Sequence, residues 1–279
     1  MERSPLPPPI VHAGRAAIPV LLSVPHSGRE YPQWLIANAA GGRAALESLE
    51  DPLVDRLAWR ALARGIGAVI ARTPRAAVDC NRGDDEIDPA VILGAGRDAV
   101  GVRARGGLGI VPSRCVPYGR IWRAPIDRAE LERRVTEAHR PFHEAVATQL
   151  EDLAARHSHV LLLDCHSMPQ RSGQAEIVLG DRHGGSAAPW LAKEAARIAR
   201  ANGWSAGLND PYAGGHIVER HGRPERGIHA LQVEIDRSRY LARDMRAPGP
   251  GFDRAARLLE HLAVGLAEAL AAADAIAAE

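Results

Sequence analysis

The sequence predicts an α/β protein built on a central, largely parallel sheet. Two observations carry this. Short apolar runs of strand length recur between segments with helical periodicity. Several of those runs also deliver polar or metal-binding residues at their ends, where open α/β sheets place their ligand sites.

The elements follow in order. "IPVLLSV" (18–24) reads as a buried strand. "DPLVDRLAWRALARG" (51–65) reads as a helix, with Asp51 as N-cap, Pro52 in the first turn and Gly65 at the stop. "GAVIA" (67–71) and "AAVDC" (76–80) read as short strands around a turn at Thr73-Pro74. Over 127–157, Leu131, Val135, Ala138, Phe142, Ala145, Leu150 and Leu153 fall near helical spacing, and Pro141 demands a kink or a break. "HVLLLDC" (159–165), "AEIVLG" (175–180) and "IHALQVEI" (228–235) are further strands. "SAAPWLAKEAARIARANG" (186–203) is a helix stopped by Gly203, and 253–277 form a long Ala/Leu helix. Residues 1–15 read as a Pro-rich surface leader. The Gly- and Arg-rich stretch 82–122 is irregular and longer than an ordinary connection, a mark of functional loops. With no internal repeat and no dividing linker, one domain over 1–279 is expected.

Composition excludes several function classes. Lys plus Arg number 35 and Asp plus Glu 34, a formal charge of +1, which supplies no electrostatic case for nucleic acid or a membrane surface. The basic residues are almost all arginine, which suits bidentate recognition of carboxylates. Cys80, Cys115 and Cys165 are odd in number and show no paired spacing, so a disulfide framework is not expected and a cytoplasmic location is. The N-terminus has no apolar signal core, and no apolar run approaches the ~20 residues of a membrane helix. "GAG" at 94–96 does not open a helix after a strand, and neither GxxxxGK[ST] nor GxSxG occurs.

The residues able to do chemistry gather at predicted strand ends. His26 follows one strand in "VLLSVPHSG" and His166 another in "VLLLDCHSMP". One histidine of 12 is most often a surface or satisfied core residue; two at equivalent strand ends are a sharper signal. A catalytic zinc commonly takes two histidines and a carboxylate and keeps one position open. The carboxylate is sought among Asp51, Asp55 and Glu30, with Asp51 and Asp55 able to point the same way from one helix. Each has a plain alternative, an N-cap for Asp51 and an exposed or ion-paired helix position for Asp55. In "ALQVEIDR", alternation puts Gln232, Glu234 and Asp236 on one face, either a solvent-facing edge or a polar cavity where Glu234 acts as general base. Asn81 and Arg82 in "VDCNR" follow a strand as a pair suited to gripping a carboxylate. Cys165 beside His166 reads as a buried small hydrophobe rather than a nucleophile.

With these residues placed, the chain resembles the N-formylglutamate amidohydrolase family. The matching motifs are "PHSG" (25–28), "EDPLVDRL" (50–57), "RAAVDCNR" (75–82), "DCHSMP" (164–169), "IVLGDRHGGS" (177–186), "PYAGGHIVERHG" (211–222) and "HALQVEIDRSRYL" (229–241). The family resembles, distantly, the zinc carboxypeptidases and aspartoacylases. The resemblance implies a three-layer α/β/α sandwich with a mixed sheet. It also implies metal-dependent hydrolysis of N-formyl-L-glutamate to formate and L-glutamate, the last step of one histidine-degradation route. It implies zinc on His26 and His166, Glu234 as general base to the zinc-activated water, and Arg75 polarising the scissile carbonyl. Asn81 and Arg82 are implied to hold the α-carboxylate. One position departs from the carboxypeptidase pattern: Arg29 stands where those relatives carry a glutamate three residues after the first histidine. Asp51 is therefore taken as third ligand, with Asp55 behind it. The substrate's second carboxylate needs another cation, expected among His216, Arg220, Arg223 and Arg226. Two other readings stand beside this one: a zinc amidase for another N-acyl amino acid, and a non-catalytic protein that keeps the pocket.

Overall fold

The structure is a computed structural model and describes residues 3–96, 101–116 and 118–277. Its strands in chain order are β1 (Ile10–His12), β2 (Val20–Val24), β3 (Gly67–Ile70), β4 (Arg114–Cys115), β5 (Gly119–Arg120), β6 (Val160–Met168), β7 (Ile177–Gly180), β8 (Ala206–Leu208) and β9 (Ile228–Asp236). Seven form one sheet in the order β1-β3-β2-β6-β9-β7-β8, and β4 and β5 form a small hairpin. β2 and β9 each run parallel to β6, and β8 runs parallel to β7. β7 is antiparallel to β9, so the sheet is mixed and mostly parallel, and the expected α/β class holds. No helix among the described residues is long and apolar enough to cross a membrane.

Contacts gather the chain into two compact units. One comprises Val11–Val24, Asp51–Val69 and the chain from Val146 onward, and it contains the body of the sheet. Its inner strands read as apolar runs because both faces are covered: every residue of β2, β6 and β7 is buried. The C-terminal helix, Phe252–Ala277, belongs here and buries Leu259, Leu262, Leu266 and Leu270, a stripe at helical spacing.

Three details in this unit differ from the sequence reading. β6 extends to Met168, so His166 lies inside a buried strand with Asp164 rather than after it. Their burial is offset by hydrogen bonds to Ser23 and Asp51, and in register Asp164 stands opposite Gln232 and His166 opposite Glu234 on β9. The helix expected over 51–65 is two short helices, Val54–Leu57 and Trp59–Ala63. Leu53 takes a left-handed φ of 62° ahead of the first and stands at its cap position, so Asp51 lies outside the helix. The proline-rich start is more than a leader, since Ile10–His12 joins the sheet as its edge strand.

The other unit comprises the chain up to Ile10, Pro25–Glu50 and Ile70–Ala145. Its core joins Leu35, Leu46, Ile110, Ile121 and Trp122 with the small residues Ala76 and Ala77. Segment 76–80 is not a strand. Its amides go to a turn and a loop instead of a ladder, Ala77 N–H to Pro74 O at 2.9 Å and Asp79 N–H to Ile110 O at 2.7 Å. Pro141 sits in the first turn of the α-helix Arg140–Ala154. The preceding turn, Val135–His139, widens to a π-helix, and Arg140 N–H reaches back five residues to Val135 O. Within 82–122 the chain forms a short helix, Val102–Arg105, and the β4–β5 hairpin; 97–100 and 117 lie outside the described residues.

Candidate active site

In the sheet unit the polar groups come from alternate positions of two neighbouring strands, which places them on one face. Asp164 accepts from Ser23 Oγ at 2.7 Å with Oδ1, and its Oδ2 lies 2.7 Å from His166 Nε2. The other ring nitrogen, Nδ1, lies 3.1 Å from Asp51 Oδ2. Asp51 Oδ1 accepts from the Arg237 guanidinium at 2.6 Å, and Arg237 Nε donates to Ser167 Oγ at 2.9 Å. On β9, Gly215 N–H donates to Gln232 Oε1 at 2.8 Å, and Gln232 Nε2 donates to Glu234 Oε1 at 2.9 Å. Glu234 is buried on an interior strand, so the solvent-edge alternative is excluded.

Charge follows this geometry. Burial disfavours the charged form of His166, but Asp164, Asp51 and Glu234 outweigh it and hold its pKa well above the usual histidine value. Burial and the charge of Asp164 push the Cys165 thiol well up, which keeps it protonated and rules it out as a nucleophile. Burial and the Glu234 charge raise the Tyr212 phenol, so it remains an O–H at neutral pH.

Two other histidines are held neutral. Burial, with the Arg220 charge, drives His221 down to about 3. Burial and the neighbouring His159, stacked on it at 5.3 Å between ring centroids, drive His229 down to about 4. An unfolded histidine protonates near ~6.5, so below that pH the unfolded chain takes up protons that the folded chain refuses. Stability is expected to fall as pH drops from about 6.5 towards about 4. Urea midpoints at about pH 7 and about pH 5 check this, and His229→Gln is expected to flatten the pH dependence.

The other unit has a matching arrangement around Asp79. Its Oδ1 lies 2.7 Å from His26 Nε2 and accepts the Asn81 amide at 2.8 Å, while Oδ2 accepts from Arg75 Nε at 2.8 Å. Burial opposes the Asp79 charge, but Arg75, His26 and Arg82 hold its pKa well below the ordinary carboxylate value. Arg82 donates Nε to Leu108 O at 2.7 Å and a terminal N–H to Asn81 O at 2.6 Å. His139 Nε2 lies 2.8 Å from Arg82 O and His143 Nε2 lies 2.9 Å from Cys80 O, holding two carbonyls of the turn.

The structure thus brings together Asp51, His166 and Glu234 in one unit, and His26, Arg75, Asn81 and Arg82 around one carboxylate in the other. Asp55 lies in the Val54–Leu57 helix, and the carboxylate on His166 is that of Asp51. Glu30 is exposed and paired with Arg72 at 2.8 Å. His216 opens the helix His216–His221 beside Gly215, at the Gln232 end. Arg220, Arg223 and Arg226 are exposed. Arg223 N–H bonds Ile228 O at 2.6 Å, which sets Arg223 and Arg226 at the start of β9. Glu234 is six residues further along that strand, roughly 20 Å away at the strand rise, so these two arginines are not brought to it. Sequence reasoning gave no role to Asp79, Gln232, Arg237 or Asp164. Asp164, two residues from His166 on a strand, and Gln232, two residues from Glu234, carried a readable signal; Asp79 and Arg237 did not.

Comparison with known proteins places the chain in a family. The profile of the family described as N-formylglutamate amidohydrolase matches residues 18–241. The N-formylglutamate deformylase of Pseudomonas aeruginosa is 29% identical over 244 residues, covering 84% of this chain and 85% of that protein. The deformylase of Pseudomonas putida is also 29% identical over 244 residues, covering 82% and 84%. The crystal structure of N-formylglutamate amidohydrolase from Ralstonia eutropha superposes with a TM-score of 0.87 at 31% identity, covering 95% of this chain and 99% of that one. A gene product of Agrobacterium tumefaciens, 20% identical with a TM-score of 0.66, shares the fold. The chain belongs to the N-formylglutamate amidohydrolase family, and with it to the enzymes that hydrolyse linear amides.

Proposed function

We propose that this chain hydrolyses N-formyl-L-glutamate to formate and L-glutamate, using one zinc ion held by His26, Asp51 and His166. One observation carries the metal reading. Each histidine has Nε2 anchored on a buried carboxylate, His26 on Asp79 and His166 on Asp164, both at 2.7 Å. Such an anchor fixes tautomer and ring orientation and directs Nδ1 to the ligand role, as at metal-binding histidines generally. Two imidazoles and one carboxylate suit zinc. When bound, the zinc supplies Lewis acidity and makes water nucleophilic at neutral pH.

The chain's own groups do the rest. Glu234, aimed by Gln232, takes the proton of the attacking water and returns it to the departing amine of glutamate. Arg75, anchored by Asp79, faces the charge that develops on the carbonyl oxygen. Asn81 and Arg82 receive the α-carboxylate; the two carbonyl bonds of Arg82 fix its plane and leave further N–H groups for the substrate. The substrate is a small molecule, and the reaction fits the last step of histidine degradation in the cytoplasm. Formate release from a panel of N-formyl and N-acyl amino acids, at defined zinc, tests this. N-formylglutamate is expected to give the highest kcat/KM. A higher value for an N-acetyl or longer acyl substrate moves the assignment to another N-acyl amino acid, and no turnover on any member removes the enzymatic reading.

A further inference from the structure

Two side chains of the sheet unit have no part in the reaction above: Tyr212, whose phenol feels the charge of Glu234, and Arg171, whose charge acts on that phenol. Arg171 lies in the loop that leaves β6, three residues past Met168. It is exposed, and its guanidinium makes no hydrogen bond or ion pair among the described residues. Tyr212 lies in the segment between β8 and the helix His216–His221 and is half-buried, and its hydroxyl has no hydrogen-bond partner among the described residues.

The position of Tyr212 is fixed by its backbone surroundings. Arg182 N–H bonds Ala213 O at 2.7 Å, and Gly215 N–H bonds the Gln232 amide at 2.8 Å. Beneath the segment is Gly180 of β7, where a Cβ would stand 2.7 Å from Tyr212 O and 2.6 Å from the Ala213 carbonyl carbon. Only glycine allows so close an approach. Gly180 stands opposite Gln232, and Val178 opposite Glu234. The Tyr212 segment therefore lies on the sheet face that carries Glu234, and the phenol is within electrostatic reach of Glu234, Arg171, Arg237 and Asp51. Of the two arginines around it, Arg237 is committed to Asp51 and Ser167, whereas Arg171 is uncommitted.

Resting on the proposed deformylation, we infer that Arg171 and the Tyr212 hydroxyl receive the substrate's side-chain carboxylate. They take the place expected of Arg223 and Arg226, which stand at the other end of β9. A guanidinium offers paired N–H donors that match a carboxylate, and a phenol beside it adds a third donor. An exposed arginine keeps its hydration until the ligand arrives. The ligand class is thus an N-formyl amino acid with an acidic side chain, and a neutral amide forfeits the ion pair. The formyl group, with so little surface, leaves selection to this half of the substrate.

The test measures kcat/KM of the full-length enzyme for N-formylglutamate and N-formylglutamine in wild type, Arg171→Gln, Tyr212→Phe and Arg220→Ala. Arg171→Gln is expected to lower the glutamate-to-glutamine ratio roughly 10–100-fold, through KM, with N-formylglutamine unchanged. Tyr212→Phe is expected to lower the ratio about 3–10-fold. Arg171 is exposed and phenylalanine keeps the tyrosine ring, so both variants should melt with wild type; a ratio is also blind to a general folding loss. A wild type that prefers glutamate, with both variants keeping that preference, overturns the inference and leaves the deformylase reading standing. Collapse of the ratio in Arg220→Ala instead of Arg171→Gln overturns it too. A wild type that does not deformylate N-formylglutamate overturns both.

Discussion

Glu234→Gln is expected to fold, keep its metal and lose about 10²–10⁴-fold in kcat, the usual contribution of general acid–base catalysis. The glutamine is nearly isosteric, and the site tolerates it. Glu234 Oε1 accepts from Gln232 Nε2 at 2.9 Å, and the carbonyl oxygen of a glutamine side chain accepts the same bond. Gln232 is itself fixed by the Gly215 amide, so the whole relay survives the change. What disappears is a group that can hold a proton between attack and departure. Because the substrate contacts assigned to Arg82 and Arg171 remain, KM should move little while kcat falls, the signature of an interaction used in the transition state. Steady-state kinetics on N-formylglutamate, with metal content measured on the same preparation, check this. A kcat near that of wild type moves the base to another residue.

The sequence showed the sheet and the two histidines because apolar runs and their polar ends are local signals. β9 was legible to its alternation: Gln232 and Glu234 do share a face, and one bonds the other. Other features depend on partners far away in the chain. Asp164 looked like the close of a strand and His166 like a residue beyond it, because interior strands rarely carry charge. They stay inside β6 because Ser23, 141 residues away, and Asp51, 115 residues away, satisfy them. Asp51 followed by Pro52 imitates a helix start, and nothing local announces that Leu53 turns left-handed. "VDC" has strand composition, yet the Asp79 carboxylate closes a turn onto the Asn81 amide and anchors His26 and Arg75. Arg223 and Arg226 lie away from Glu234 for a topological reason. They follow a site residue in sequence, but the chain is by then on its way back to the start of β9.

The metal reading leads to the second large effect, a graded series at His166. His166→Ala removes a ligand and is expected to abolish stoichiometric zinc binding and activity together. Asp164→Asn leaves the ligand in place and removes the charge that anchors its Nε2, which is expected to weaken zinc affinity about 10–100-fold. Asparagine can still accept from Ser23 Oγ, so β2 and β6 stay bridged and the protein remains folded. Cys165→Ala, one residue away, is expected to change neither affinity nor kcat by more than about twofold, because that thiol is held protonated by its burial. Proton release supplies an independent check. His166 holds its proton more tightly than an ordinary histidine, between Asp164 and Asp51. Zinc has to displace that proton, so metal binding is expected to release protons and to tighten as pH rises through the shifted pKa. Removing the Asp164 charge lowers that pKa and is expected to move the pH dependence of binding to lower pH. Competition titrations with a chelator of known affinity, run across pH on wild type and Asp164→Asn, measure both quantities. Full zinc occupancy in His166→Ala, or identical pH curves for wild type and Asp164→Asn, removes His166 from the metal site.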